Sequence, residues 1–464
     1  MTSLVDTAFK AYFGGMERIT VIGGGLAGCS AALTLARLGH EVDLWEMRPL
    51  LQTPAHSTEN LAELVCSNSF KGLGLTGAHG LLKEELRRWG SEMIEAAFEA
   101  RVPAGESLAI DRELFSQAVE RRIAAQPRIR LHRGEVTTID PDAWTIVAAG
   151  PLASASLTRH LLEMVGGGRL SFFDAIAPVV TLESLDWDHC WRANRWDKGE
   201  TTDFINCSLN KEEYHAFVAG LVAADAVEPK PFEPKELFEG CLPIEEMARR
   251  GPETLCHGPL RPVGLDDPKT GRWPHAVLQL RSENREGTLF NLVGCQTRLR
   301  FGEQKRLFGL IPALKNAEFA RLGAMHRNTF LDSPSLLDRD FSLRVSPRTF
   351  LAGQITGAEG YTEALATGFH AAVSLHQKLT DSVIPLPEES MLGSLVRFLT
   401  TPRGEKAPVF QPMNAHFGLL PDPPVPEGKR KHDKSVKKDL QAAAAIDGAV
   451  KWAKQVLPWG VVGN

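Results

Sequence analysis

The chain of 464 residues has no uninterrupted apolar run that approaches the roughly 18 residues a membrane-spanning helix needs. Its N-terminal segment lacks a basic start followed by a continuous apolar block, which argues against a secretory signal. It has no Cys-x-x-Cys pair, and its seven cysteines are an odd number. These absences predict a cytoplasmic protein with reduced thiols and no membrane contact.

An excess of positive charge is absent as well. The formal net charge of −5 argues against a nonspecific nucleic-acid binder, although it is compatible with a local basic face. Two stretches could supply one, TRLRFGEQKR at 297–306 and KRKHDKSVKK at 429–438. On charge pattern alone, each is more typical of a solvated surface or a flexible tail.

What is present indicates a globular α/β protein of two or three domains, with 43% hydrophobic and 23% charged residues. The clearest segment is ERITVIGGGLAGCSAALTLARLGHEVDLWEMRP, residues 17–49. Its periodicity predicts a strand at 18–22, a helix at 26–38 and a second strand at 41–45. This βαβ unit places the glycine turn at the carboxyl end of a parallel sheet, where ligands bind.

Later segments return to the same fold. AWTIVAAGP at 143–151 predicts a buried strand, and residues 348–375 predict a strand, a glycine loop and a helix. Between them the sequence pattern changes: it predicts short strands and turns, including a hairpin around SENREG, and it contains several tryptophans. We therefore expect an inserted α+β domain. The expected divisions are a leader at 1–15, a first nucleotide-binding part at 16–185, the insert at 186–299, a second nucleotide-binding part at 300–380, and a C-terminal extension with a basic tail and helix at 381–464.

A dinucleotide fingerprint, Gly23-x-Gly25-x-x-Gly28, stands between the first strand and the helix. In this pattern the first glycine allows a tight turn, the second lets backbone approach a pyrophosphate, and the third permits close helix–strand packing. Glu46, at the end of the second strand, is placed to accept hydrogen bonds from an adenosine ribose. The predicted cofactor-binding residues of this turn are Gly23, Gly24, Gly25, Leu26, Ala27, Gly28 and Glu46.

The late segment FLAGQITGAEGYTEALATG favours FAD over NAD, because a flavoprotein of this topology needs a second strand–glycine–helix element to cover the flavin. Gly353, Gly357 and Gly360 are its predicted cofactor-binding residues. An ordinary glycine-rich helix start would look similar. The chain carries Gln354 where many such proteins have an aspartate for the ribityl chain, so that contact stays open.

Two cysteines stand in settings that allow chemistry. Cys66 follows an apolar pair and precedes a polar turn in AELVCSNSFKG, and Cys241 immediately precedes a predicted helix in LFEGCLPIEEMARRG. Helix N-termini lower the pKa of a thiol, although Glu245 and Glu246 partly oppose this effect. On these features alone a buried structural role remains equally open for Cys241, and none of the motifs predicts a metal site.

Several unusual strings together resemble the bacterial folate- and FAD-dependent tRNA (uracil-5-)-methyltransferase family. They are MERITVIGGGLAG, LWEMRP, TPAHSTENLAELVCSNSF, ARVPAGESLAIDRE, CLPIEEMARRG, GPLRPVGL, MHRNT and GAEGYTEALATG. The resemblance implies a glutathione-reductase-like, Rossmann-type FAD domain with an inserted domain. It also implies methylation of carbon 5 of the T-loop uridine at tRNA position 54. The implied one-carbon donor is 5,10-methylenetetrahydrofolate, the carrier FAD and the reductant NAD(P)H, with tRNA and folate as partners and no obligate protein partner.

Carried over residue by residue, the resemblance implies Cys241 as the nucleophile at carbon 6 of uracil. It implies for Cys66 proton removal from carbon 5 or protection of the one-carbon unit on its carrier. Two other functions stay open: a wobble-uridine-modifying flavoprotein, which is typically longer and acts with a GTPase, and a generic FAD-dependent oxidoreductase. A non-catalytic RNA-binding protein with this fold is a third.

Further candidates rest on chemistry alone. Four residues offer a ring, charges and a carboxylate for folate or flavin, although packing explains them equally well: His326, Arg327, Glu359 and Tyr361. Four basic residues are expected to grip the tRNA backbone, with the 429–438 tail as an auxiliary: Arg298, Arg300, Lys305 and Arg306.

Overall fold

The computed structural model describes residues 18–167, 169–198, 201–227, 242–404, 410–425 and 432–462, and only the backbone of 169–174, 325–327 and 434. Cys241 lies outside these residues. The strands are β1 (Ile19–Ile22), β2 (Val42–Glu46), β3 (Ser69–Gly72), β4 (Arg101–Val102), β5 (Ser107–Ile110), β6 (Ile129–Arg133), β7 (Thr145–Val147), β8 (Arg169–Ala175), β9 (Val179–Thr181), β10 (Cys190–Arg192), β11 (Ile205–Leu209), β12 (Ala276–Ser282), β13 (Leu289–Leu292), β14 (Phe319–Arg321), β15 (Met325–Leu331), β16 (Ser342–Leu343) and β17 (Ser346–Leu351).

Helices pack against strands of both the first and the second sheet. They are α1 (Leu26–Arg37), α2 (Ala78–Arg88), α3 (Glu92–Glu99), α4 (Arg112–Ala125), α5 (Ala155–Met164), α6 (Lys211–Ala223), α7 (Ile244–Arg249), α8 (Thr254–His257), α9 (Phe301–Phe308), α10 (Ser333–Leu336), α11 (Tyr361–Leu379), α12 (Met391–Thr400) and α13 (Lys434–Val456). Within the described ranges, no helix combines the length and the apolar composition needed to cross a bilayer.

The first sheet is the predicted nucleotide-binding sheet. Its six strands run in the order β16–β17–β7–β1–β2–β6, and the pairs from β17 to β6 are parallel. The apolar residues of β1 are buried, as their run in the sequence predicts. Helices α1 and α11 pack backbone to backbone, because a Cβ on Gly368 would stand 2.1 Å from the carbonyl oxygen of Ala27. The α/β fold predicted from the βαβ unit is confirmed.

The second sheet is antiparallel, in the order β10–β11–β12–β13–β9–β14, and has its own apolar core. The hairpin predicted around SENREG is confirmed, with β12 paired to β13. Because β9 and β14 belong to this sheet, its strands run from Val179 to Arg321, on both sides of the expected 186–299 insert. Strands β8 and β15 pair with each other and carry the chain between the two sheets.

The C-terminal helix α13 belongs to the core of the first sheet. Trp89, the C-cap of α2, donates from its indole nitrogen to the carbonyl oxygen of Ala449 at 3.0 Å, and its ring lies 5.1 Å from that of Trp452. The helix predicted within the C-terminal extension is confirmed at Lys434–Val456.

Candidate active site

The glycine turn forms one end of a cleft. Gly23 has φ of +106°, and a Cβ on Gly28 would stand 1.8 Å from the carbonyl oxygen of Gly23, so a side chain at position 28 would separate strand from helix. A Cβ on Gly25 would meet nothing within 4 Å, and Gly25 lines the cleft at the N-terminus of α1. The turn therefore presents free backbone amides to an open space, as an anion site requires.

Glu46 is held beside this turn. Its Oε2 accepts from the backbone nitrogen of Gly24 at 2.9 Å, and its Oε1 accepts from the backbone nitrogen and the Nε of Arg48, both at 3.0 Å. Burial raises the pKa of Glu46, but the hydrogen bonds and charge of Arg48 outweigh burial and lower it below its ordinary value. Glu46 is thus a carboxylate held in place by hydrogen bonds in the lining of the cleft.

The late glycine loop forms the opposite wall. Gly353 and Gly360 line the cleft, whereas Gly357 packs against the ring of Phe410, where a Cβ would come within 2.6 Å. The side-chain amide of Gln354 donates to the carboxylate of Glu359, and both residues line the cleft. The glutamine that replaces the expected aspartate is therefore oriented by a neighbouring acid.

Cys66 lies in the same cleft, where the two sheets meet. The backbone nitrogens of Cys66 and Ser67 donate to the hydroxyl oxygen of Tyr361, both at 3.0 Å. The Sγ of Cys66 lies 3.7 Å from the carbonyl oxygen of Ala175 at the end of β8. The thiol is half-buried, and the backbone that carries it is held by Tyr361, the first residue of α11. Burial and the neighbouring Cys66 raise the pKa of Tyr361, so its hydroxyl stays protonated at neutral pH.

Asn68, two residues after Cys66, connects this segment to the ends of β5 and β12. Its Nδ2 donates to the carbonyl oxygens of Ile110 and Ser282, at 2.9 and 2.8 Å, and its Oδ1 accepts from the Nε of Arg281 at 3.0 Å. Because Ser282 ends β12 of the second sheet, the Cys66 segment is fastened to that sheet as well as to α11.

Positive charge gathers behind Cys66. Arg112 forms an ion pair with Glu283 at 2.7 Å and also donates to the carbonyl oxygen of Leu64. Burial opposes ionisation of Glu283, but Arg112 lowers its pKa below the ordinary value. Three guanidinium groups, of Arg112, Arg281 and Arg321, interact electrostatically with both Cys66 and Tyr361. The carboxylate of Glu283 lies among these guanidinium groups.

The structure brings most of the predicted site residues together. Those lining the cleft are Gly23, Gly25, Leu26, Ala27, Glu46, Cys66, Gly353 and Gly360, whereas Gly24, Gly28 and Gly357 shape its walls from behind. Glu359 and Tyr361 also line it, and only the backbone of His326 and Arg327 is described, in β15. Cys241 lies outside the described residues. Helix α7 begins just after it, with Pro243 at its N-cap.

Other lining residues escaped the sequence analysis. Lys71, Gly134, Gln296, Asn328 and Asn414 line the cleft from five separate parts of the chain. The Nδ2 of Asn414 donates to the carbonyl oxygen of Glu359 at 2.5 Å. Their isolation in sequence explains why no spacing motif marks them.

The basic stretch at 297–306 divides into two kinds of residue. Arg298 is buried and paired with Glu245 and Glu246, so its prediction as a phosphate contact is wrong. A run of basic residues in the sequence does not show which of them are buried, and Arg298 is part of a buried ion pair. Arg300 and Arg306 are exposed by more than half of their side chains, and each pairs with a nearby carboxylate. Lys305 is also exposed.

Comparisons with known proteins agree with this architecture. The family described as glucose inhibited division protein A matches residues 18–382. The solved structure of Aquifex aeolicus GidA in its form II crystal superposes with a TM-score of 0.67 at 14% identity, and the match covers 95% of this chain and 74% of that one. At this identity, the likeness establishes the fold alone.

Curated relatives match over nearly their whole length. Methylenetetrahydrofolate–tRNA-(uracil-5-)-methyltransferase TrmFO of Geobacter sulfurreducens is 52% identical over 432 residues, which cover 92% of this chain and 98% of that protein. The protein of the same name from Aquifex aeolicus is 50% identical over 450 residues, covering 96% and 99%. The chain therefore belongs to the methylenetetrahydrofolate–tRNA-(uracil-5-)-methyltransferase family.

Proposed function

We propose that this protein methylates carbon 5 of the T-loop uridine at position 54 of tRNA, with 5,10-methylenetetrahydrofolate as one-carbon donor and NAD(P)H as reductant. The observation that carries the proposal is the cleft that is lined by both the glycine turn and Cys66. The chain that forms it is 52% identical to a methylenetetrahydrofolate–tRNA-(uracil-5-)-methyltransferase. A generic oxidoreductase would need the glycine turn but no fixed thiol beside it.

The cleft fits FAD. The open space at Gly25 admits a pyrophosphate against the amides of the α1 N-terminus, and Glu46 is ionised and placed for ribose hydroxyls. At the other wall, Gly353, Gln354 and Gly360 would border the flavin end. When bound, FAD supplies a reducible carrier for the one-carbon unit.

We assign Cys66 to proton removal from carbon 5 of the uracil or to protection of the one-carbon unit. Two features support a chemical role over a packing role. Its backbone is fixed by Tyr361, and it lines the same cleft as the glycine turn. A thiol buried only for packing would need neither.

We assign Cys241 to attack on carbon 6 of the uracil. A thiolate that adds there makes carbon 5 nucleophilic, and the same thiolate departs when carbon 5 has gained its substituent and lost its proton. The residues that follow Cys241 lie close to the cleft. The backbone nitrogen of Ile244 donates at 2.8 Å to the carbonyl oxygen of Gln296, and Gln296 lines the cleft.

The test is transfer of label from methylene-labelled tetrahydrofolate to an unmodified tRNA transcript, in the presence of NAD(P)H. We expect label in thymine at position 54, and no label in a transcript with cytidine at that position. Label at the wobble position would favour the wobble-modifying alternative. Oxidation of NAD(P)H without label in RNA would favour the generic oxidoreductase.

A transcript carrying 5-fluorouridine at position 54 separates the thiols, because fluorine cannot leave as the proton does. The wild type should form a covalent RNA–protein complex, and Cys241→Ala should form none. Cys66→Ala should lose methylation while keeping its flavin. Cys190→Ala changes a thiol on a strand of the second sheet and serves as the matched control, with normal trapping and methylation. Near-normal methylation by Cys241→Ala would refute the assignment of that thiol.

A further inference from the structure

Three side chains on separate elements of the second domain converge on one point. The Nε2 of His215 in α6 lies 3.5 Å from Oε1 of Glu253, and the Nε2 of His275, next to β12, lies 3.5 Å from Oε2 of the same carboxylate. The three donor atoms all lie within 4.8 Å of one another. None of these three residues lines the cleft that contains the glycine turn and Cys66.

These distances suit a shared cation better than two hydrogen bonds. A nitrogen–oxygen separation of 3.5 Å exceeds the roughly 2.7–3.2 Å of a good hydrogen bond. It is close to the edge of a tetrahedron whose centre lies about 2.0–2.2 Å from imidazole nitrogen and carboxylate oxygen, as around zinc. The Nε2 of His275 is buried and has no hydrogen-bond partner among the described residues. A buried imidazole nitrogen aimed at a carboxylate is ready to bind a metal.

The group is preorganised by Tyr214. The ring of Tyr214 lies 4.9 Å from the ring of His275 and 5.4 Å from that of His215, and both contacts are edge-on. Its hydroxyl donates to the carbonyl oxygen of Pro252 at 2.8 Å and accepts from the backbone nitrogen of Cys256 at 3.1 Å. The backbone on both sides of Glu253 is thus held in place, so little ordering is left for a metal to impose.

The chemistry of the donors selects the metal. Two imidazoles and one carboxylate are a ligand set that zinc takes in proteins, and the Sγ of Cys256, 3.1 Å from Oε2 of Glu253, adds a soft donor beside them. Oxygen-seeking calcium or magnesium would not favour two imidazoles. The three side chains are between 27 and 45% exposed, so an ion can enter from solvent.

We propose that His215, Glu253 and His275 bind one zinc ion that fastens α6, α8 and the start of β12 together. In sequence, His215 and Glu253 lie 38 positions apart and Glu253 and His275 lie 22 apart, which is why no spacing motif marks the site. Two of the three ligands, Glu253 and His275, follow Cys241 in sequence. No member of the group lines the cleft, so the proposed zinc lies outside the candidate active site.

The test uses tag-free flavoprotein stripped with a chelator and titrated calorimetrically with zinc chloride. We expect one zinc per chain, and at least a tenfold weaker affinity in both His215→Ala and His275→Gln, because each removes a ligand. His189→Ala breaks an exposed histidine–aspartate pair of the same domain and should bind zinc like the wild type.

Cobalt provides a second readout that does not depend on activity. We expect tetrahedral cobalt absorption to the red of the flavin bands in the wild type and His189→Ala, and its loss in His275→Gln. Circular dichroism reports whether each variant is folded. No zinc binding by the folded wild type, or zinc binding unchanged in both folded ligand variants, would overturn the proposal. Because zinc binding is measured without RNA or folate, this outcome is independent of the proposed methylation.

Discussion

The hydroxyl of Tyr361 accepts a hydrogen bond from the backbone nitrogen of Cys66 at 3.0 Å across 295 positions of sequence. The same oxygen accepts from the backbone nitrogen of Ser67. One phenol therefore fixes the conformation of the segment that carries the thiol. Since α11 begins at Tyr361, directly after the glycine loop, the position of Cys66 is tied to the wall of the cleft that faces the glycine turn.

Removal of this hydroxyl should loosen the Cys66 segment. In Tyr361→Phe, two backbone N–H groups lose their acceptor, at a cost of about 1–3 kcal/mol for each that stays buried. We expect faster amide exchange at Cys66 and Ser67, measured by hydrogen-exchange mass spectrometry, together with a loss of methylation and normal flavin content. Tyr214→Phe, which removes a similarly bonded hydroxyl in the second domain, is the matched control. Unchanged exchange at Cys66 in Tyr361→Phe would contradict the positioning role.

Two glycines of the fingerprint should fail in different ways when substituted. In Gly25→Val the side chain enters open space, so the protein should fold and purify colourless because the valine occupies the place of a pyrophosphate. In Gly28→Ala the new methyl meets a backbone oxygen at 1.8 Å, so we expect loss of stability itself. Absorption spectra and denaturant unfolding measure the two effects.

Gly302→Ala is the control for both variants, because a Cβ there meets nothing within 4 Å in helix α9. It should keep its flavin and gain roughly 0.5–1 kcal/mol of stability. A yellow Gly25→Val protein with a full flavin spectrum would show that this turn does not hold the cofactor.

The basic stretch yields a prediction that separates affinity from stability. The triple variant Arg300→Gln, Lys305→Gln, Arg306→Gln should bind tRNA more weakly, and the slope of log affinity against log salt should fall by up to about one for each lost phosphate contact. Arg298→Gln should instead lose about 3 kcal/mol of unfolding free energy, because it breaks a buried ion pair with Glu245 and Glu246. Salt titrations of tRNA binding and chemical denaturation distinguish the two. Unchanged tRNA affinity in the triple variant would exclude this face from RNA binding.

The sequence was sufficient where physics acts locally. Gly23 and Gly28 indicate a tight turn and a close packing contact within six residues, so the βαβ unit and the position of its cleft could be predicted from this short segment. The contact of Tyr361 with Cys66 could not be derived, because it depends on how two distant segments meet. The burial of Arg298 was hidden for the same reason: a run of basic residues gives charge, whereas burial depends on Glu245 and Glu246, more than 50 positions away.

A buried lysine supplies the pH-dependent prediction. Lys83 in α2 is only 2% exposed, and its Nζ donates to the carbonyl oxygen of Phe70 at 2.7 Å. Burial lowers its pKa from 10.5 to about 7, although Glu363 opposes the shift. Above the folded value the native lysine is neutral, while the unfolded chain still binds a proton up to 10.5. Because the unfolded state then binds more protons, native stability rises with pH across this window.

Lys83→Met should remove that dependence while conserving most of the side-chain volume. The difference in unfolding free energy, wild type minus Lys83→Met, should therefore increase between pH 7 and pH 10, by at most about 1.4 kcal/mol per pH unit. Other ionisable groups are common to both proteins and cancel in the difference. Urea denaturation at pH 7, 8, 9 and 10 measures it. A difference that stays constant across this range would mean that Lys83 carries the same charge in the folded and unfolded chains.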